Sequence, residues 1–288
     1  MKKVHYFIEA ILAYLFYYSL RMFSFDTASN IGGRIGKWIG PKLEVHKIAY
    51  NNIKNAMPEL SKDEIQIILK DMWENLGRTV GEFSQLPRLT GDEFKKRVTI
   101  EGEEHFEKAK ARGKGFIFFS GHFANWEIAP KTAAEIGYPL ALVYRHSNNP
   151  MVDRLILKTR KGAHNGMFSK GKGAAKGILA HLKKGGHIGM LVDQKKSDGI
   201  PIKFFGRDVM TAQAAADFAL KYGIPLIPAK VKRVNKTHFQ TTIFPELEIE
   251  GKSTEQIMTE VNELFESWIR ETPSQWLWVH KRWPEEDI

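Results

Sequence analysis

The chain has 288 residues, 43 lysines and arginines against 33 aspartates and glutamates, a formal charge of +10, and no cysteine. That length permits one large domain with a sizeable core, and the missing cysteine excludes a disulfide scaffold, a thiolate nucleophile and a cysteine-ligated zinc or iron–sulfur site. The basic residues are spread along the whole chain, so the positive field belongs to the general surface and suits an anionic membrane face, a phosphorylated substrate or an acidic protein, with nucleic acid a fourth choice on charge alone.

The first element is an apolar run from Phe7 to Phe23, broken only by Glu9, Ser19 and Arg21. It reads as a membrane anchor over residues 1–25. The uncharged stretch Ala10 to Leu20 is shorter than the ~20 residues of a full span. It therefore either crosses as a tilted transmembrane helix, with Arg21 snorkelling toward headgroups, or lies at the interface. The chain opens Met-Lys-Lys as a signal peptide would, yet no small-residue cleavage pattern comes after it. Arg34, Lys37 and Lys42 slightly outnumber Lys2 and Lys3, which favours a cytoplasmic location for the catalytic domain.

Residues 26–90 carry a helical pattern. Ser61-Lys-Asp-Glu64 is a capping box, and apolar residues recur at Ile65, Ile68, Leu69, Met72, Trp73 and Leu76. Gly32, Gly33, Gly36 and Gly40, interleaved with Arg34, Lys37 and Lys42, form a second amphipathic stretch. It reads either as a small-residue helix contact or as a basic face beside the anchor.

From Arg97 onward, short β-rich runs alternate with helical ones. The runs Val98 to Ile100, Phe116 to Ser120, Leu140 to Arg145, Ile188 to Val192, Leu226 to Lys232 and Phe239 to Phe244 predict strands. Helices are predicted at Glu103 to Arg112, Trp126 to Ile136, Pro150 to Lys161, Gly173 to Lys184, Thr211 to Tyr222 and Thr254 to Glu271. This alternation implies an α/β core over 97–288, a mixed sheet covered by helices, with functional loops at the carboxyl ends of strands. The basic stretch Lys170-Gly-Lys-Gly-Ala-Ala-Lys-Gly177 opens one of these helices. It lacks P-loop and Rossmann spacing, although a glycine-rich helix start suits anions.

The buried-looking run Phe116 to Phe119 ends in Ser120-Gly121-His122, which brings His122 out of a strand into a loop. Glu127 stands five residues later at the start of a helical stretch, so the two side chains converge only if His122 stands outside the helix. A histidine ordinarily titrates at about 6.5, and a neighbouring carboxylate fixes its tautomer and stabilises the imidazolium as it forms. Such a pair suits activation of an alcohol and contributes ~10²- to 10⁴-fold. Spacing alone equally allows a helix-capping or core histidine. Metal ligation is not expected, since no second and third ligands lie at the helical spacing of zinc hydrolases.

His122-Phe-Ala-Asn125-Trp-Glu127 resembles the His-x4-Asp/Glu motif of glycerolipid acyltransferases, in the His-Phe-x-Asn-Trp-Glu form of the bacterial lipid A late acyltransferases, the lauroyl and myristoyl transferases. Leu142-Val-Tyr-Arg145 with Asn149-Pro150, Asp153 and Arg160 is similar to the second block of that family. Leu191-Val-Asp193-Gln194, Gly199-Ile-Pro and Phe204-Phe-Gly206 to Thr211 are similar to the third. The ending Pro273-Ser-Gln275-Trp276-Leu-Trp278-Val-His280-Lys-Arg282-Trp283 resembles its C-terminal signature, so the likeness runs from the anchor nearly to the end.

The resemblance implies a glycerolipid-acyltransferase-like fold. It also implies transfer of a fatty acyl group from acyl carrier protein to a hydroxyl of a phosphorylated glycolipid, a lipid A precursor, at the cytoplasmic face of the bacterial inner membrane. It calls for no cofactor, no metal and no nucleic acid. Position by position, it makes His122 the general base and Glu127 its charge partner. Asn125, Arg145, Arg160, Asp193, Gln194 and Thr211 become substrate-positioning residues. Each also has a structural reading: an Arg160–Asp193 salt bridge, a Thr211 N-cap for the Ala-Gln-Ala-Ala-Ala helix, and core or interfacial anchoring for the C-terminal tryptophans. Two alternatives stay open: the same chemistry on another glycolipid or from acyl-coenzyme A, and a non-catalytic basic membrane-binding protein.

Overall fold

The computed structural model describes residues 2–169 and 173–283. Five helices come first: α1 (Lys2–Arg21), α2 (Phe25–Ile39), α3 (Val45–Ala56), α4 (Lys62–Phe83) and α5 (Gly91–Arg97). The capping box starts α4 as expected, Ser61 and Glu64 satisfying one another's backbone N–H groups. The helix then buries Ile65, Leu69, Met72 and Trp73. Gly32 and Gly36 of α2 face the backbone of α4 at Trp73 and Gly77, in keeping with the small-residue reading.

The tilted transmembrane reading of α1 is corrected. No helix among the described residues is long and apolar enough to cross a membrane. Glu9 and Arg21 bracket a short uncharged run, and the protein itself occupies one side of the helix, burying Ala10, Tyr17 and Leu20. Asn149 donates to the Tyr6 carbonyl and to Glu9, and the Tyr14 hydroxyl to the Met151 carbonyl. The other side leaves Val4, Phe7, Ile8, Ile11, Leu12 and Leu15 exposed.

The remainder alternates: β1 (Val98–Glu101), α6 (Glu104–Lys110), β2 (Ile117–Ser120), α7 (Ile128–Glu135), β3 (Leu140–Tyr144), α8 (Pro150–Arg160), β4 (Gly166–Ser169), α9 (Ala174–Lys183) and β5 (His187–Leu191). Then come β6 (Lys195–Phe204), β7 (Arg207–Thr211), α10 (Ala214–Tyr222), β8 (Leu226–Asn235), β9 (His238–Ile243) and α11 (Thr254–Glu271). Of the glycine-rich stretch expected to open α9, Lys170, Gly171 and Lys172 lie outside the described residues.

Among the described residues, seven strands form a mixed sheet in the order β1-β9-β8-β2-β5-β3-β4, parallel at every pairing except β8 with β9. β6 and β7 form a separate antiparallel hairpin. The central strand β2 is buried on both faces. Ile117 and Phe119 enter one apolar core with α3, α4, α10 and α11, while Phe116 and Phe118 enter a second with α6 and α7. Burial on both faces is why this strand reads as an unbroken apolar run. The tryptophans Trp276, Trp278 and Trp283 are fully buried core residues.

Parallel pairing sets the site. Ser120 of β2 stands opposite Leu191 of β5, so the residues two places beyond each, His122 and Asp193, leave the sheet side by side.

Candidate active site

Asp193 Oδ1 lies 2.8 Å from His122 Nδ1, and Asp193 Oδ2 accepts the His122 backbone N–H at 2.8 Å and the Trp276 indole N–H at 2.9 Å. Burial opposes the charged form of this carboxylate. The His122 imidazole and the further donors outweigh it and hold Asp193 well below the usual carboxylate range. An ionised carboxylate at Nδ1 requires a proton there, which leaves the His122 Nε2 lone pair directed away from Asp193.

The charge partner of His122 is therefore Asp193 and not Glu127, which corrects the expected pairing. Glu127 gives both carboxylate oxygens to Arg160, which donates from Nε at 2.9 Å and from Nη2 at 2.5 Å. The alternative salt bridge between Arg160 and Asp193 is absent for the same reason. Burial works against the Arg160 charge, yet Glu127 and Asp153 raise its pKa above the ordinary arginine value.

The loop between β2 and α7 is fixed from three sides. Ala124 adopts a left-handed conformation with φ of 47°, an arrangement costly for a residue with a Cβ. Its carbonyl accepts from Thr79 at 3.0 Å and Asn75 at 3.3 Å on α4, and its N–H donates to the Gln275 carbonyl at 2.7 Å. Phe123 forms an isolated antiparallel bridge with Trp276, and Leu277 N–H donates to the His122 carbonyl.

A cavity of about 250 Å³ opens at the carboxyl edge of β2, β5 and β3. His122, Glu127, Arg145, Arg160 and Gln194 line its polar side, and Phe118, Ala129, Pro130, Leu140, Leu142 and Gly189 its apolar side. These five were expected at the site, and Ser120 and Tyr144 also line the cavity. Asp193 sits immediately behind His122 as its buried support.

Asn125 is fully buried. Its amide donates to Glu82 at 2.8 Å and its oxygen accepts the Glu127 N–H at 3.1 Å, so it braces the loop and does not reach the cavity. Arg233 completes the charge balance around Glu82.

Thr211 does not belong to this group and is not a helix cap. It ends β7, fully buried, accepts from Arg282 at 3.0 Å, and Gln213 precedes α10. Sequence reasoning missed Trp126, whose ring meets the His122 ring edge-on at 5.0 Å. It also missed His280, which lies 3.0 Å from Gln194. Both sit inside the quoted motifs, so their positions were visible and only their contacts were not. Among the described residues, no three His, Asp or Glu side chains gather in a way that could hold a metal ion.

A mixed α/β sheet carries a histidine held by a buried carboxylate above a cavity polar at one side and apolar at the other, a shape that fits an amphipathic ligand. The chain belongs to the bacterial lipid A biosynthesis acyltransferase family, whose model matches residues 1–285, and it is an acyltransferase. It is similar to a lipid A biosynthesis palmitoleoyltransferase of Escherichia coli K12, 23% identical over 257 residues, covering 88% of this chain and 83% of that one. A lipid A biosynthesis acyltransferase of Haemophilus influenzae is 24% identical over 274 residues, 93% of this chain and 85% of that one. A lipid A biosynthesis lauroyltransferase of Escherichia coli K12 is 24% identical over 244 residues, 82% of this chain and 78% of that one. Among solved structures, a 1-acyl-sn-glycerophosphate acyltransferase of Thermotoga maritima aligns at a TM-score of 0.41 and 14% identity, over 94% of this chain and 99% of that one.

Proposed function

We propose that the protein moves a fatty acyl chain from acyl carrier protein to a hydroxyl of a lipid A precursor, with His122 as general base. The observation that carries this reading is the His122–Asp193 pair, whose Nε2 belongs to a side chain lining a cavity with an apolar depth. In the proposed reaction, Nε2 takes the proton of the acceptor hydroxyl as its oxygen bonds to the thioester carbonyl carbon. The tetrahedral intermediate collapses with cleavage of the carbon–sulfur bond, and the imidazolium returns the proton to the departing thiolate. Asp193 fixes the tautomer and stabilises the imidazolium.

Arg160, held in place by Glu127, supplies positive charge toward the developing oxyanion. Phe118, Leu140, Leu142 and Gly189 receive the acyl chain. Arg145 at the rim suits the phosphate of the acceptor.

The exposed apolar side of α1 supports docking at a bilayer surface, with its axis in the interface plane and the +10 chain drawn to anionic lipid. Because α1 packs on α8, which carries Arg160, such docking would bring the cavity beside the lipid headgroups. We assign this surface to the cytoplasmic face of the inner membrane, where acyl carrier protein is available.

The test is transfer by purified wild type and His122→Ala, with acyl carrier protein thioester or acyl-coenzyme A as donor and a tetra-acylated glucosamine disaccharide phosphate as acceptor. Transfer from the carrier-protein thioester that His122→Ala abolishes, with its fold retained by circular dichroism, is expected. Undiminished transfer by the variant refutes the base assignment, and transfer from acyl-coenzyme A alone refutes the donor.

A further inference from the structure

His122 Nε2, the atom assigned as base, faces an amide. Gln194 Nε2 lies 3.3 Å from it, and the same nitrogen lies 3.0 Å from His280 Nε2. The two imidazole rings stand 5.2 Å apart at 67°. Since Asp193 takes the Nδ1 proton, His122 Nε2 presents a lone pair, and the group of Gln194 facing it must be a donor. A carboxamide NH₂ has two hydrogens, one for each imidazole. The second needs an acceptor, so His280 Nε2 must also carry a lone pair. Burial, with help from the Arg282 charge, pushes His280 down to about 4 against the raising effect of Asp193, which keeps the ring neutral at physiological pH.

We propose that His280 is a positioning residue that acts through Gln194, fixing the amide with its NH₂ toward the base so that His122 stays neutral until the acceptor hydroxyl displaces it. The proposal rests on the reading of His122 as base. Without an acceptor at position 280, the amide is free to turn its oxygen toward His122 Nε2, and an oxygen there stabilises the protonated, inactive ring. The backbone carbonyl of His280 accepts from Asn52 at 2.8 Å, so α3 holds the segment in place while the side chain points at Gln194. The groups that face His122 are Asp193 beyond β5, Gln194, His280 from the C-terminal segment and the Trp126 ring. The Glu127–Arg160 pair lines the same cavity.

The experiment compares wild type, His280→Phe, His280→Gln and Gln194→Glu by the pH profile of kcat/KM and by proton titration of the His122 ring in histidine-labelled protein. His280→Phe keeps the ring volume and removes the acceptor. Its acid limb is expected to move up by about one pH unit, a tenfold change in proton affinity. Gln194→Glu, acceptor-only at both rings, is expected to move it further. His280→Gln, which restores an oxygen acceptor, is expected to return it to the wild-type position.

An acid limb at the wild-type pH in His280→Phe, whatever the loss of rate, overturns the proposal and leaves His280 a packing residue. If His122→Ala proves active, the base reading fails separately. The ring titration needs no turnover and still decides whether His280 governs the protonation of His122. Should His280→Phe unfold, His280→Leu, which also lacks an acceptor, carries the same test.

Discussion

Glu127 and Arg160 are bound to each other by two hydrogen bonds, and neither carboxylate oxygen of Glu127 turns to His122. The two acidic residues near His122 therefore have separate work, and substitution separates them.

Asp193→Asn is expected to lower kcat by ~10³- to 10⁴-fold with the fold intact, since it leaves His122 in the wrong tautomer. In a His122→Ala background the same change should cost nothing more, because residues that act as a unit do not add. Glu127→Gln leaves Arg160 partly buried without its counter-charge and is expected to cost about 3 kcal/mol of stability as well as activity. Steady-state rates paired with urea unfolding read both. A stability loss from Asp193→Asn with no loss of kcat would reverse the assignment.

Gly189 lies between Phe118 of β2 and Leu142 of β3 on the apolar side of the cavity. A Cβ there would stand 2.8 Å from a Leu142 methyl and 3.1 Å from a Leu140 methyl. Those side-chain ends can yield to a methyl group but not to a larger substituent. Gly189→Ala and Gly189→Val are expected to shorten the preferred acyl chain in that order, each methylene in excess costing about 1 kcal/mol, roughly fivefold in kcat/KM. The measurement is kcat/KM across donors of graded chain length. Unchanged preference in both variants would place the chain elsewhere.

Leu12→Glu combined with Leu15→Glu removes two exposed apolar side chains of α1 without touching its buried side. Sedimentation with anionic vesicles should show binding weakened by at least ~10-fold, while transfer to detergent-dispersed acceptor persists. Equal binding by the variant would assign membrane contact to another surface.

His187 stacks on Phe116 at 3.9 Å between centroids. Burial, with smaller contributions from the charges of His181 and Lys110, pushes its pKa down to about 4. The unfolded chain takes up the proton from about 6.5 downward and the folded protein only near 4. The neutral ring's stability is thus fully present above about 6.5 and is lost as pH falls toward 4, at up to about 1.4 kcal/mol per pH unit. His187→Phe should flatten this part of the stability curve, read by urea unfolding at pH 7.5 and pH 5. An equal slope in both proteins would contradict the assignment.

What could be read from the sequence divides by physical cause. Strands buried on both faces, such as β2 and β5, declare themselves as apolar runs, and α11 spans Thr254 to Glu271 as its period requires. β4 and the first half of β6 carry no such signal, because one is an edge strand and the other exposes Lys195 to Asp198. The five-residue spacing of His122 and Glu127 was visible but misleading. The partner of His122 stands 71 residues away in the chain and is delivered by sheet register. Thr211 looked like a cap because a helix begins close after it, while its hydroxyl is taken by Arg282.

The clamp on the His122 loop has a temporal meaning. Ala124 is gripped by α4 on one side and by Gln275 on the other, and Asp193 needs the Trp276 indole. The helices that begin the chain and the segment that ends it must both arrive before His122 has its geometry. A growing polypeptide still short of Trp276 on the ribosome therefore lacks the groups that fix the His122 loop, and the site takes shape only after that segment has been made.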